Sequence, residues 1–263
     1  MLQTKLHRPP VSKEHVLRKH LIDYLDRNRY KPFTLVSAPA GYGKSMLVSS
    51  WIEACKCPAV WISLSEEADE LHKFLEYLCA GMEKNMPGTL SNTSELIHSV
   101  ELPSVKILSE ILINDLDEID REFVLVLDDY HLLRNQDINE LINTILEFPP
   151  QHMHLVIITR RDPMLDLTRL NSYGRMNQVR MKELCFSNKE ILALYEKLIG
   201  LNLDQETAEK LLQKTEGWIT GLRLASLSIQ KFGINSPILK ENTEEIHLIV
   251  NYLVEEVTSP KIA

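Results

Sequence analysis

Residues Phe33 to Trp51 restrict what this chain can fold into more than any other stretch. A short apolar run, Phe33 to Val36, leads into a loop of small residues. Gly43-Lys44-Ser45 follows, and then a segment with apolar residues at Leu47, Val48, Trp51 and Ile52. That order is strand, loop, helix, the context in which a Gly-Lys-Ser loop cradles phosphate groups. Gly41 and Gly43 let the backbone turn its N–H groups inward, and the first turn of the helix presents a positive dipole end to an anion. Lys44 has the reach to meet the β- and γ-phosphates of a nucleotide, and the Ser45 hydroxyl is a ligand for Mg²⁺. The first position of the usual G-x-x-x-x-G-K-S pattern holds Ala38 instead of glycine, a change such loops tolerate. The candidate phosphate-binding set is Ala38, Pro39, Ala40, Gly41, Tyr42, Gly43, Lys44, Ser45 and Met46.

Either side of this loop the chain alternates between two periodicities. Strands are expected at 33–36, 59–63, 123–129 and 154–159, with a shorter one at 178–181. Apolar residues at 3.6-residue spacing predict helices over 16–28, 69–85, 104–119 and 136–148. The run Phe123-Val124-Leu125-Val126-Leu127 has no polar alternation, as a strand buried on both faces of a parallel sheet requires. Strands alternating with helices imply βαβ units, an α/β fold, and a ligand beyond the carboxyl ends of the strands. Lys44, Asp128 and Arg160 all fall at such ends. From Cys185 onward only helices are expected, over 187–200, 204–215, 218–231 and 242–257, the first opened by a Ser187-Asn188-Lys189-Glu190 capping box. A domain boundary is placed near residue 183.

Two further elements complete a nucleotide site. Asp128-Asp129 ends the third strand, about eighty residues beyond the loop. The first carboxylate suits Mg²⁺, directly or through water, and the second can orient or deprotonate an attacking water. Thr159-Arg160 ends the next strand, where the guanidinium can touch a γ-phosphate and report its presence. Lys44, Asp129 and Arg160 are thus the candidate catalytic groups, and Ser45 and Asp128 the candidate metal ligands. No guanine-reading Asn/Thr-Lys-x-Asp element is present, which favours adenine.

Composition narrows the class. Lysine and arginine number 29 against 37 aspartate and glutamate, a formal charge of −8, so this stretch does not wrap nucleic acid by charge alone. A basic run, Arg160, Arg161, Arg169, Arg175 and Arg180, reads as a solvated face, with a local nucleic-acid patch as the alternative. No apolar run approaches the ~20 residues that span a bilayer, and Met1 to Pro10 has no apolar signal core, so a cytoplasmic location is expected. Cys55-Lys56-Cys57 lacks a second pair at zinc spacing, and the four cysteines read as reduced thiols.

An ordered set of motifs now spans nearly the whole chain. Thr4-Lys5-Leu6 with Arg8-Pro9, Val16-Leu17-Arg18 with Leu21, and Ser37-Ala38-Pro39-Ala40-Gly41-Tyr42-Gly43-Lys44-Ser45 come first. Val126-Leu127-Asp128-Asp129-Tyr130-His131, Thr159-Arg160 and Glu216-Gly217-Trp218 follow. The set resembles the ATP-binding module of MalT-like, LuxR-type transcriptional activators. That resemblance implies a parallel-sheet P-loop NTPase of the AAA+/STAND type over residues 1–183, with 1–32 a lead-in and adenine-side helix. It also implies an all-helical lid over 184–235, then a linker and the start of a winged-helix region over 236–263. It nominates Val16 and Arg18 for the adenine pocket and Gly217 and Trp218 for the lid over the nucleotide. The implied function is a regulatory switch that binds ATP or ADP with Mg²⁺, hydrolyses slowly and self-associates in the ATP state. Inducer and DNA would be bound by C-terminal domains of a longer protein. The alternative is a catalytic P-loop ATPase, a motor or phosphotransferase, turning the same site over for flux.

Overall fold

The computed structural model describes residues 2–99, 102–233 and 236–239, and the helix expected at 242–257 lies outside them. The chain divides into two compact units. Residues 1–10, 20–37 and 45–179 make the first, and residues 11–19, 38–44 and 180–263 the second.

The first unit is built on a five-stranded parallel sheet. Its strands are β1 (Phe33–Ser37), β2 (Ala59–Ser63), β3 (Phe123–Asp128), β4 (Met153–Thr159) and β5 (Met176–Arg180), in the order β2-β3-β4-β1-β5. β4 lies between β1 and β3, pairing Ser37 with Thr159 and Leu127 with Ile157. From β1 the chain goes to one side of the sheet, to β2, and from β4 it goes to the other, to β5. The β1–β4 pair is therefore the topological switch point, where ligands of open α/β sheets sit.

Strand composition explains this layering. β1, β3 and β4 are buried along their whole length, as the continuous apolar runs anticipate. Phe33, Leu35, Leu125, Leu127, Leu155 and Ile157 join one core with Phe74, Leu78, Leu112 and Leu141. Those partners come from α3 (Leu71–Asn85), α5 (Val105–Asp117) and α6 (Gln136–Glu147). The alternate residues Thr34 and His154 carry a hydrogen bond beneath α2 (Lys44–Cys55), whose Trp51 meets the His154 ring edge-on at 5.7 Å. α1 (Lys19–Arg27) buries Leu21, Ile22 and Leu25. It starts three residues later than periodicity predicts. Two shorter helices, α4 (Ser91–Ile97) and α7 (Leu167–Ser172), were not expected. No described helix is long and apolar enough to cross a membrane.

His154 predicts a pH dependence. Its Nδ1 donates to the Lys31 carbonyl at 2.6 Å, and its Nε2 accepts from Thr34 Oγ1 at 2.9 Å. Burial pushes the imidazole down to about 4. The unfolded chain, with an ordinary imidazole near 6.5, takes up the proton first. Stability is therefore full above about pH 6.5 and falls as pH drops towards 4, by about 3 kcal/mol from this group. Melting curves from pH 4 to 7.5 should show that slope, and His154→Gln should flatten it.

The second unit is helical. Its elements are α8 (Met181–Leu184), α9 (Asn188–Ile199), α10 (Gln205–Thr215) and α11 (Ile219–Phe232). The capping box forms as expected: the Ser187 amide donates to Glu190 at 2.9 Å, and Gly200 ends α9 in the left-handed region. Ile191, Leu194, Tyr195, Leu211, Leu222 and Ile229 form its core. Val16 packs into that core, although periodicity places it at the start of the helix expected over 16–28.

Candidate functional site

The loop after β1 is held in an unusual shape. Gly41 and Gly43 have φ of +76° and +75°, a left-handed conformation costing a residue with a side chain about 1–2 kcal/mol. The Lys44 ammonium donates to the Pro39 carbonyl at 2.9 Å and is nearly buried, so it lies along the loop it belongs to. Ala38 is buried, Pro39 is exposed, and Met46 on α2 accepts the Ser50 hydroxyl.

In the same unit, the first turn of α11 is hydrogen-bonded to this loop. Trp218 Nε1 donates to the Ala40 carbonyl at 3.1 Å, and the Thr220 hydroxyl donates to the Gly41 carbonyl at 3.0 Å. The Thr220 amide donates to the same carbonyl at 3.3 Å, and the Trp218 and Tyr42 rings lie 6.5 Å apart. A Cβ on Gly41 would stand 2.5 Å from Thr220 Oγ1, so only glycine permits that approach. The carbonyls of Ala40 and Gly41 are thus both taken up by the first turn of α11. Sequence reasoning nominated Trp218 but missed Thr220. Its partner lies 179 residues away, and no local pattern marks it.

Gly217 is left-handed at φ +74° and follows Glu216, also left-handed at +50°. This double turn aims Trp218 at the loop. Arg18 is buried and fully engaged: Nε reaches Glu190 Oε1 at 2.8 Å, and its other nitrogens reach the carbonyls of Glu183, Leu184 and Cys185. Its guanidinium lies over the Phe186 ring at 4.7 Å. In the structure it clamps the start of α9. The Glu190 carboxylate, paired with Arg18, is lowered, with burial opposing the ion pair.

In the first unit, the Ser45 hydroxyl donates to Asp128 Oδ1 at 3.0 Å. A hydroxyl beside a buried carboxylate is a donor set suited to a hard divalent cation. Asp129 takes the left-handed conformation at φ +58°, rare for a residue with a side chain. Its amide donates to Asp128 Oδ1 at 2.9 Å, leaving its own carboxylate half exposed and 3.8 Å from His131 Nδ1. Arg160 is exposed at the end of β4. Two residues on, Asp162 accepts from the Ser37 hydroxyl at 3.3 Å, a carboxylate the sequence reading did not single out. In the second unit the left-handed glycines and the lysine suit phosphate groups, and in the first the serine–aspartate pair suits a divalent cation.

Comparison with known proteins agrees with this geometry. Among solved structures, a Walker-type ATPase of Pyrococcus abyssi superposes with a TM-score of 0.57 at 16% identity, covering 95% of this chain and 77% of that one. The RuvB Holliday junction branch migration motor of Thermotoga maritima gives 0.51 at 15%, covering 94% and 72%. At these identities the likeness concerns the fold, which is that of P-loop ATPases. The chain is 28% identical over 259 residues to the HTH-type transcriptional regulator MalT of Yersinia pestis (strain Pestoides F) and to that of Yersinia enterocolitica. The match takes in 98% of this chain and 29% of each relative, so the chain spans under a third of their length. The MalT-like resemblance expected from the motifs is borne out. A family profile described as AAA domain matches residues 4–163, more than half of the 263, and the chain therefore belongs to the AAA domain family.

Proposed function

We propose that this chain is an adenine-nucleotide-responsive switch module of a MalT-like transcriptional regulator. The observation that carries the reading is the pair of hydrogen-bonded carbonyls, Ala40 and Gly41, held by Trp218 and Thr220. A phosphate loop whose outer face is held by a helix has a built-in way to report what its inner face holds. In this reading the amides of residues 40–45 and the Lys44 ammonium hold the phosphates, and Ser45 and Asp128 hold Mg²⁺. When bound, the cation would supply positive charge to offset that of the phosphates. Asp129 orients a water, Arg160 senses the γ-phosphate, and Val16 lies on the adenine side. Arg18 positions the α8–α9 turn rather than donating to the base. Hydrolysis is slow, the ATP state self-associates, and inducer and DNA belong to other parts of a cytoplasmic protein.

The test is release and identification of nucleotide from freshly purified protein, with melting and sedimentation in Mg-ADP and Mg-ATP. Retained ADP, slow exchange and larger assemblies in ATP are expected. Turnover above about 1 s⁻¹ with no change of assembly would instead make it a flux-carrying ATPase.

The coupling has its own prediction. Trp218→Phe keeps the ring and removes one donor, and Thr220→Val removes another. Together they should cost about 2 kcal/mol of stability, lowering the Tm by roughly 4–8 °C. If the loop is coupled to α11, they should also speed ADP release severalfold, measured with a fluorescent ADP analogue. Unchanged release would uncouple the two.

A further inference from the structure

The Cys55-Lys56-Cys57 motif lies apart from the nucleotide site, at the far end of α2. Ten residues of helix separate Ser45 from Cys55, roughly 15 Å. α2 ends at Cys55, and Lys56 turns left-handed at φ +53°, its amide still donating to the Ile52 carbonyl at 3.1 Å. Such a turn is the mirror image of a helical one. It brings the flanking Cα atoms to ~5.4 Å, inside the 4.4–6.8 Å window of disulfides. Both cysteines are free thiols and partly exposed, and the Cys55 thiol donates to the Ile52 carbonyl at 3.6 Å.

The surroundings favour thiol chemistry over packing or metal binding. Arg29 stands near both sulfurs, with its charge shared by Asp26 at 3.6 Å and Glu122 at 3.1 Å. Cys57 lines a surface hollow of about 270 Å³ with Arg29, Lys31, Glu122 and His152, room for a small thiol reagent. Among the described residues no group of three or more His, Cys, Asp or Glu forms a candidate metal site. We propose that Cys55 and Cys57 are a redox-active dithiol that closes to an intramolecular disulfide by exchange with a low-molecular-weight disulfide such as oxidised glutathione.

The exchange balances in two steps. The Cys55 thiolate attacks one sulfur of the reagent, forming a mixed disulfide and releasing one thiolate. Cys57 then loses its proton and attacks the Cys55 sulfur, expelling the second thiolate. Two protein thiols are oxidised, and one disulfide is reduced to two thiols, which take up the two protons. Hydrogen bonding from Cys57 lowers Cys55 to about 6 and raises Cys57, so Cys55 is the attacking group and Cys57 the resolving one. Capping Cys55 removes the negative charge that holds the proton on Cys57.

The test equilibrates the full chain in glutathione buffers without nucleotide, traps thiols by alkylation and maps the peptides by mass. Expected is a Cys55–Cys57 disulfide whose fraction follows the ratio of oxidised to reduced glutathione, with Cys79 still reduced. Cys57→Ser should stop at a glutathione adduct on Cys55, and Cys55→Ser should leave Cys57 unmodified. At pH 7, Cys55 should alkylate roughly a hundredfold faster than Cys79, whose thiol burial pushes up to about 12. Both cysteines remaining reduced in excess oxidised glutathione would overturn the proposal. So would Cys55 alkylating no faster than Cys79, or oxidation that only links separate chains. Nucleotide binding enters none of these readouts, so the proposal stands or falls apart from the proposed function.

Discussion

Lys44→Ala is expected to lower the affinity for Mg-ADP and Mg-ATP at least about a hundredfold, a loss of ~2.7 kcal/mol. The ammonium is nearly buried and lies along the loop, 2.9 Å from the Pro39 carbonyl, so its reach is set before any phosphate arrives. In the proposed site, alanine removes the loop's one charged side chain, assigned there to the phosphate oxygens, while the loop amides remain. Melting separates binding from folding. At a hundred times its dissociation constant, ligand stabilises the parent by ~2.7 kcal/mol, roughly 5–11 °C in a chain of this size. At that concentration the variant is half saturated and gains only ~0.4 kcal/mol, about 1 °C. Without ligand it should melt within a few degrees of the parent, since the hydrogen bond to the Pro39 carbonyl is worth about 1 kcal/mol. An equal ligand-induced shift in both proteins would rule this loop out as the nucleotide site. Ser45→Ala offers the complementary result: it should bind ADP without Mg²⁺ about as well as the parent and lose most of the gain from adding the metal.

What could be read from the sequence divides by distance along the chain. The strands were legible because a strand buried on both faces needs an unbroken apolar run, and Phe123–Leu127 can be little else. The phosphate loop was legible because its parts are consecutive. α4 was not, because its capping is remote. Asp115 on α5 accepts from the Thr93 amide at 2.8 Å and the Thr93 hydroxyl at 2.7 Å, replacing the local cap that a sequence search looks for. The start of α1 was misread for a similar reason. Val16 and Leu17 continue its periodicity, but Val16 is buried with Ile191 and Tyr195, and Arg18 is drawn to Glu190. The same limit applies within the candidate site. Trp218 and Thr220 reach the loop across 178 and 179 residues, so the sequence nominated Trp218 only through resemblance and passed over Thr220.

Gly217→Ala should be the most destabilising single methyl added to the helical unit. Two penalties add at this position. The left-handed φ of +74° costs alanine about 1–2 kcal/mol wherever it occurs. The second penalty is steric: a Cβ there would lie 2.6 Å from the Phe186 nitrogen and 2.7 Å from the Phe186 oxygen. Those atoms are backbone and cannot rotate away. The Phe186 amide is hydrogen-bonded to the Gly217 carbonyl at 2.9 Å, and Arg18 holds the adjacent carbonyls of Leu184 and Cys185. The strand of chain entering α9 is thus fixed from both sides. Relief has to come from moving the turn at Glu216–Gly217 and, with it, Trp218 and Thr220. A total loss of about 3–5 kcal/mol is expected, a Tm lower by roughly 6–20 °C. Gly200→Ala isolates the first penalty, because Gly200 has φ +65° and nothing within 4 Å of an added Cβ. It should cost about 1 kcal/mol. Equal losses in the two variants would mean that the Phe186 backbone gives way, and that the aim of α11 at the phosphate loop is not fixed by this contact. A larger loss at Gly217, accompanied by weaker ADP binding in the fraction that still folds, would tie the packing of the helical unit to the shape of the loop.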